Sequence, residues 1–393
     1  MRTMAATDVA RRNPALEKTF AALESIHQWV DRLCDRRFWI PLSVLLAWSI
    51  SVAFSVPGFS VASEELQDRW IRYYSPIVKL KVEAPLTDMT LFFEVHSNVA
   101  KRTYRITAPA VAYVTRTGVV GAFLFNHICA YAAMHCAVAL AASLARRRAA
   151  GFYVALLLAA TYIGTASFKD VFGWFDSTTF AFLLIAAAAR RPGLCGAALL
   201  AALFSDERAL ALAPLVAFTH AVLPVEGGGA ASKPRAWVVA VAAAGFVYVL
   251  VRAALTLSVG LGAKALPIEI DVLVANLSRI GEALWSPLEG GWLVVACAGW
   301  LVLRSGRRLW YAVYAVYFVL YVLASLFTWD VTRSVSLGFL FIFPMLPFLR
   351  AGLDRRLDSL LLVASVVSLL SANIFVWHYV DFETNLWSHL IAP

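Results

Sequence analysis

An all-α, polytopic bundle of about eleven transmembrane helices is predicted by three observations: a strongly apolar composition, repeated apolar runs of helical length, and arginine clusters at alternate connectors. Of the 393 residues, 61% are hydrophobic and only 15% are charged. An ordinary soluble domain carries about 25% charged residues, so most of this chain needs lipid or protein around it. A hydrocarbon core of roughly 30 Å is crossed by about 20 apolar helical residues. Runs of this kind lie near 39–58, 118–144, 151–166, 178–189, 194–205, 209–224, 236–258, 290–303, 309–327, 335–349 and 357–377. Several middle runs are short, so some helices are expected to stop inside the bilayer.

The net charge of +9 would suit nucleic acid if the basic residues lined one face. They sit instead in short clusters between apolar runs: Arg36–Arg37, Arg146–Arg148, Arg190–Arg191, Lys233 with Arg235, Arg304 with Arg307 and Arg308, and Arg350 with Arg355 and Arg356. These connectors alternate along the chain and, with the N-terminal segment, hold more than half of the 34 Lys and Arg residues. The positive-inside rule places them in the cytoplasm, with the N-terminus inside and the C-terminus outside. The predicted organisation is a cytoplasmic segment 1–38, a transmembrane module 39–350 and a final segment 351–393 with the last span and an external tail. A long first external loop, 59–117, belongs to the module. Within it, 63–81 and 94–116 mix aromatic, aliphatic and charged residues as interfacial helices do. The stretch 226-EGGGAASKPR-235 reads as a flexible cytoplasmic connector. The polar residues 1–37 run into a full span, so no cleavable signal peptide is expected.

Soluble-enzyme chemistries find little support. Cys129, Cys136, Cys195 and Cys297 lie in apolar runs and Cys34 precedes the first, which suits small buried hydrophobes rather than metal ligands. His127, His135 and His220 read as hydrogen-bonded packing residues, and His378 and His389 fall in the tryptophan-bearing tail. No His-Glu-x-x-His, Gly-x-Ser-x-Gly or phosphate-binding glycine loop is present, which argues against a zinc hydrolase or a nucleotide-driven pump.

The external connectors carry the unusual charges. Glu64, Glu65, Asp68 and Arg69 follow the first run; Lys169, Asp170 and Asp176 follow the third; Asp206, Glu207 and Arg208 separate two short runs; Asp330 and Arg333 follow the ninth. Each set taken alone suits a salt bridge closing an outer turn. Four sets on one face point to a shared polar cavity, because ionisable groups near lipid face a partner or a cavity. Lys101, Arg102 and Arg105, beside His96, form a basic triad. On a helix, Lys101 and Arg105 would share a face and bind a phosphate, or simply anionic headgroups.

This layout resembles the fold-C (GT-C) membrane glycosyltransferases, which use polyprenyl-phosphate-linked sugars. The resemblance rests on the topology of about 38–350, on a KR-x-x-R-x-x-x-P element at Lys101, Arg102, Arg105 and Pro109, and on a D-x-x-R element at Asp330 and Arg333. It implies sugar transfer to a lipid or glycan acceptor on the external face of a bacterial inner membrane. It also implies a catalytic acid in the first external loop, where Glu65, Glu64 and Asp68 stand, and a second acid at Asp170 or Asp176. Lys101, Arg102, Arg105, Arg333 and His96 would then face the donor phosphate. Lys169, Asp206, Glu207, Arg208 and Asp330 would support them. No cofactor is required, and a divalent metal is left open. The alternative is a transporter or flippase for an anionic lipid or lipid-linked glycan, using the same charges without chemistry.

The orientation is directly testable. An impermeant thiol reagent applied to sealed cells should modify a cysteine placed at Thr87 and spare one placed at Gly228; the reverse pattern would invert the topology.

Overall fold

The described part of each predicted apolar run is helical, apart from the end of the last, in the computed structural model, which describes residues 14–54, 75–92, 103–170, 173–222, 234–261, 270–306, 308–328, 330–354, 356–371, 373–376 and 380–383. The chain begins with amphipathic α1 (Pro14–Cys34), then α2 (Trp39–Phe54). In the first external loop, α3 (Ser75–Glu83) and α4 (Thr107–Thr115) fall within or beside the two stretches expected to be interfacial. The bundle continues with α5 (Gly118–Ala145), α6 (Arg148–Ala159), α7 (Tyr162–Phe168), α8 (Asp176–Ala188), α9 (Pro192–Leu203), α10 (Ala209–Val222) and α11 (Pro234–Val259). Two helices in the connector before the eighth run, α12 (Ile270–Leu277) and α13 (Ile280–Leu288), were not expected from the sequence. Then come α14 (Gly291–Arg304), α15 (Arg308–Leu326), α16 (Val331–Ser336), a 3-10 segment Leu337–Met345, α17 (Leu346–Leu353) and α18 (Arg356–Leu370).

Helix length gives a smaller count of crossings than apolar runs do. Among the described residues, α5, the stretch 235–259 of α11 and the continuous segment Val331–Leu353 are long and apolar enough to span a membrane. Two pairs become spans if each is counted as one: α6 with α7, bent by 80°, and α13 with α14, bent by 91°. The other apolar helices have 10–17 residues. Twelve helical residues rise only about 18 Å, short of the hydrocarbon thickness. The chain is therefore a helical membrane protein with three to five crossings visible in its helix lengths.

The final run departs from expectation. Helix α18 stops at Leu370, and Asn373–Val376 (β1) pairs antiparallel with Val380–Glu383 (β2), in register Ile374↔Phe382 and Val376↔Val380. Ile374, Phe375 and Val376 make up most of β1, and such β-branched and aromatic residues fit a pleated surface better than a helix end. The end of the segment expected to finish a span is thus a short hairpin attached to an otherwise helical bundle.

Small residues set the closeness of the core. Along α5, Ala122, Ala130, Ala133, Ala137, Ala141 and Ala145 are buried, which lets α6 and α8 approach its backbone. At Gly151 in α6, an added Cβ would lie 2.5 Å from the Val138 carbonyl oxygen of α5. The sharp turn between α13 and α14 is built the same way. Glu289 there has φ +44°, and Gly290 donates its N–H to Ser368 Oγ at 3.0 Å. A Cβ on Gly290 would sit 1.9 Å from the Ala364 carbonyl oxygen, so α18 leaves room for hydrogen only.

Connectors assigned to one face of the membrane meet one another. At one end, His27 of α1 bonds Tyr153 Oη (2.7 Å) and Ser359 Oγ (3.0 Å), and Arg147 pairs with Asp358 at 2.6 Å. Arg148 donates to the Cys34 carbonyl at 3.1 Å. The acidic turn at Asp170 meets α5 at Asn126, roughly 28 Å from the end of that helix at 1.5 Å per residue.

Replacing Gly290 with Ala should displace α14 from α18. A loss of about 1–3 kcal/mol or more, as for other overpacked sites, is expected in detergent unfolding. A Gly281→Ala control meets open space and should unfold like the parent.

Candidate functional site

The charged residues of three connectors and Arg105 of the first loop form one buried network. It is assembled from local turns. Where α7 ends, the Asp170 carboxylate accepts the Trp174 N–H (3.2 Å) and the Phe175 N–H (2.7 Å), folding the chain back through a left-handed Phe175. Asn126 of α5 braces this turn: its Nδ2 donates to Asp170 (3.4 Å), and its Oδ1 accepts from Thr178 N (3.2 Å) and Thr178 Oγ1 (3.1 Å). Asp176 consequently enters the first turn of α8, where the helix dipole favours a carboxylate.

Arg333 of α16 answers Asp176 with both arms of its guanidinium. Its Nε donates to Oδ2 and its Nη2 to Oδ1, each at 2.6 Å, while the cation lies 4.0 Å from the centre of the Trp174 ring. A fork-to-fork pair of this kind is the strongest arrangement open to the two groups. Arg208 does the same for Asp206: Nε to Oδ1 at 2.8 Å and Nη2 to Oδ2 at 2.5 Å, with Nη1 donating to Ser334 Oγ at 2.8 Å. The Arg208 backbone N–H also reaches Asp206 Oδ1, at 2.9 Å. Tyr321 Oη donates to the Ser334 carbonyl, tying α15 to the same point.

Arg105 approaches from the other side. Its backbone neighbours clamp the end of α9, with Ile106 N–H and Thr107 N–H both donating to the Phe204 carbonyl at 2.7 and 3.2 Å. Its Nη2 stands 3.2 Å from Asp206 Oδ2. Its Nε and Nη1 are buried and make no hydrogen bond among the described residues. The same holds for both carboxylate oxygens of Asp330, although Arg333 Nη1 lies 3.6 Å from one of them.

These environments set proton affinities. Burial pushes the carboxyl groups of Asp170 and Asp330 above the usual carboxylate range; the Asp176 charge adds to this at Asp170, and Arg333 only partly offsets it at Asp330. At Asp206 burial acts in the same sense, but Arg208 and Arg105 outweigh it and hold the carboxyl below its ordinary value.

The network sorts the residues singled out from the sequence. Asp170, Asp176, Asp206, Arg208 and Arg333 are committed to backbone or to one another. Arg105 and Asp330 keep polar atoms in reserve, as does Glu207, whose Oε2 is buried without a hydrogen bond among the described residues. Lys169 is buried close by. Glu64, Glu65, Asp68, His96, Lys101 and Arg102 lie outside the described residues. The helix that would put Lys101 and Arg105 on one face is not present at Arg105, because α4 starts only at Thr107. Pro109 follows in its first turn, a favoured place for proline. Among the described residues, no group of three or more His, Cys, Asp or Glu side chains is placed to hold a metal ion.

Sequence reasoning missed Asn126, Trp174, Tyr321 and Ser334. An asparagine eight residues inside an apolar run was the one available signal. His127 and His220 are packing residues, bonded to the Phe123 and Ala186 carbonyls at 2.9 and 2.8 Å, whereas His135 is exposed.

The fold and this network define a helical integral-membrane protein with a desolvated ionic centre at one end of the bundle. No family model, curated protein or solved structure matches the chain.

Removing one partner of a buried pair leaves the other charge stranded, at about 3–5 kcal/mol. Arg333→Ala and Asp176→Ala should each destabilise the protein in detergent unfolding by this order, and Arg333→Met with Asp176→Leu should recover most of the loss. Asp330→Asn removes a carboxyl that burial already disfavours when charged, so its melting temperature should equal or exceed the parent's.

Proposed function

We propose that the protein is a membrane glycosyltransferase that moves a sugar from a polyprenyl-phosphate donor to a lipid or glycan acceptor at the outer membrane face. The bundle would cross the bilayer about eleven times, in a bacterial inner membrane, with the N-terminus cytoplasmic and the C-terminus external. One observation carries the reading. In a network whose other arginines are each forked onto a carboxylate, Arg105 keeps two buried guanidinium nitrogens without a hydrogen bond among the described residues, and Asp330 keeps both carboxylate oxygens without one.

Sugar transfer needs those two kinds of group. As the acceptor oxygen attacks the anomeric carbon, its proton passes to a carboxylate, and the bond from that carbon to the phosphate oxygen breaks. Negative charge grows on the leaving phosphate. Arg105, with Lys101, Arg102 and His96 nearby in sequence, would stabilise that charge, an effect strongest where donors are already oriented and water is excluded. Glu65, Glu64 or Asp68 would take the proton. Asp330 joins them as a rival base, since a carboxyl with raised proton affinity is suited to that task near neutral pH. Arg333, spent on Asp176 and Trp174, positions α16 and leaves donor contact to Arg105. A single displacement of this kind inverts the anomeric centre.

At the opposite end of the bundle, His27–Tyr153–Ser359 and Arg147–Asp358 tie α1, the start of α6 and α18 together, which favours a fixed scaffold over a moving conduit.

The test uses purified protein and a lipid-linked sugar. Glu65→Gln, Glu64→Gln, Asp68→Asn and Asp330→Asn are compared singly, and the base should be the one whose loss lowers turnover by roughly 10²–10⁴-fold with donor binding intact. Arg105→Ala should weaken donor binding by more than the ~1 kcal/mol of a headgroup contact. Full turnover in all four acid variants would remove the proposed base. Movement of labelled lipid across vesicles without sugar transfer by the parent would identify a flippase.

A further inference from the structure

A second cationic group, Arg252, lies beside the ionic network, at the edge of the packed face of α11. The buried stripe of α11 runs through Trp237, Val241, Ala244 and Tyr248, and Arg252 continues it by one turn. The flanks are apolar and open: Phe246, Val249, Leu250, Val251 and Leu257 are all exposed, as expected of a lipid-facing helix. Arg252 is half-buried between the stripe and these flanks. It stands seven residues before the end of α11, which is about 10 Å below that end at helical rise.

An arginine at that depth usually reaches for water. This one is held back. Its guanidinium lies 4.1 Å from the centre of the Tyr104 ring, and its Nη1 bonds Tyr248 Oη at 3.0 Å, one turn away from the near end of the helix. Tyr104 is itself fixed: its Oη is 2.5 Å from Thr256 Oγ1 and also bonds the Leu261 carbonyl. Tyr248 is packed edge-on against Phe204, whose carbonyl anchors the backbone after Arg105. Consecutive residues of the loop thus serve two places, Arg105 meeting Asp206 and Tyr104 covering Arg252. Among the described residues, Glu207 is the carboxylate whose charge acts on Arg252, but from beyond ion-pair distance, and the Tyr248 hydroxyl is the one hydrogen-bond partner the guanidinium has.

A permanently charged group stacked on one face, with donors left over and lipid on its flank, is a ready site for an anion. We infer that Arg252, Tyr104 and Tyr248 form a phosphate-binding site on the lipid-facing wall, occupied by the headgroup phosphate of an anionic lipid. Tyr104 supplies the platform that keeps the guanidinium in place, Tyr248 orients it, and the remaining N–H groups meet the phosphate oxygens. The site depends only on α11 facing lipid; sugar transfer is not needed for it.

The experiment uses the full chain in phosphatidylcholine nanodiscs, with phosphatidic acid carrying a photoreactive group near its headgroup. Labelling should map to the peptide around 248–256, and the same photoreactive group on phosphatidylcholine should label it far less. Arg252→Gln should lower phosphatidic acid labelling about tenfold, as for loss of a charge-assisted contact, while Arg252→Lys should keep part of it. Equal labelling of this peptide by both lipids in the unmodified protein would overturn the site, whatever the stability of the variants. So would unchanged labelling of Arg252→Gln. Competition by millimolar inorganic phosphate would overturn the lipid source and assign the site to a soluble phosphate.

Discussion

The forked pair between Arg333 and Asp176 is the contact on which the polar end of the bundle depends. Both groups are almost entirely shielded from solvent, and each would be costly to bury alone. Their sequence positions are 157 apart, so the bond joins the first turn of α8 to α16, two elements distant in the chain. It works only because of what precedes it. Asp170 and Asn126 fold the turn that brings Asp176 to the helix start, and Trp174 provides the aromatic face over which the guanidinium lies.

Once that pair is formed, the remaining charges have fixed roles. Asp206 is claimed by Arg208, and the two ion pairs are linked where Arg208 Nη2 lies 3.8 Å from Asp176. Arg105 reaches only Asp206 Oδ2, which it shares with Arg208. With both inner arginines forked onto carboxylates, the buried donors left without a hydrogen bond belong to the residue entering from the first loop. Asp330 is left in the complementary position, close to Arg333 but without its best geometry. This division between committed and uncommitted groups separates scaffold from candidate chemistry more sharply than burial does, since nearly all of these side chains are buried.

Irregular backbone at membrane depth is tolerated where protein satisfies it, and both helix breaks follow that rule. At the first, Thr161 Oγ1 bonds the Leu158 carbonyl as the chain turns by 80°. At the second, Ser368 caps Gly290 and Trp292 Nε1 reaches the Leu284 carbonyl at 2.7 Å. The broken helices bring α7 and α13 into contact with α16, which carries Arg333.

What the sequence determined by itself was the chemistry that has no choice of location. Apolar runs must become helices when lipid is the solvent, and each of them did. The charges between alternate runs must gather at one end, and Asp176, Asp206, Asp330 and Arg333 did so. The exceptions were local: the run 357–377 ended early because Ile374, Phe375 and Val376 suit a strand, and Arg105 lay before its helix rather than in it. Pairing was illegible because a buried arginine chooses its carboxylate by geometry reached through the whole fold, with neighbours more than a hundred residues away. Tertiary structure alone decided that Arg333 takes Asp176 rather than the nearby Asp330, and that Arg252, one more residue in an apolar helix, lies over Tyr104 at the edge of the packed face of α11.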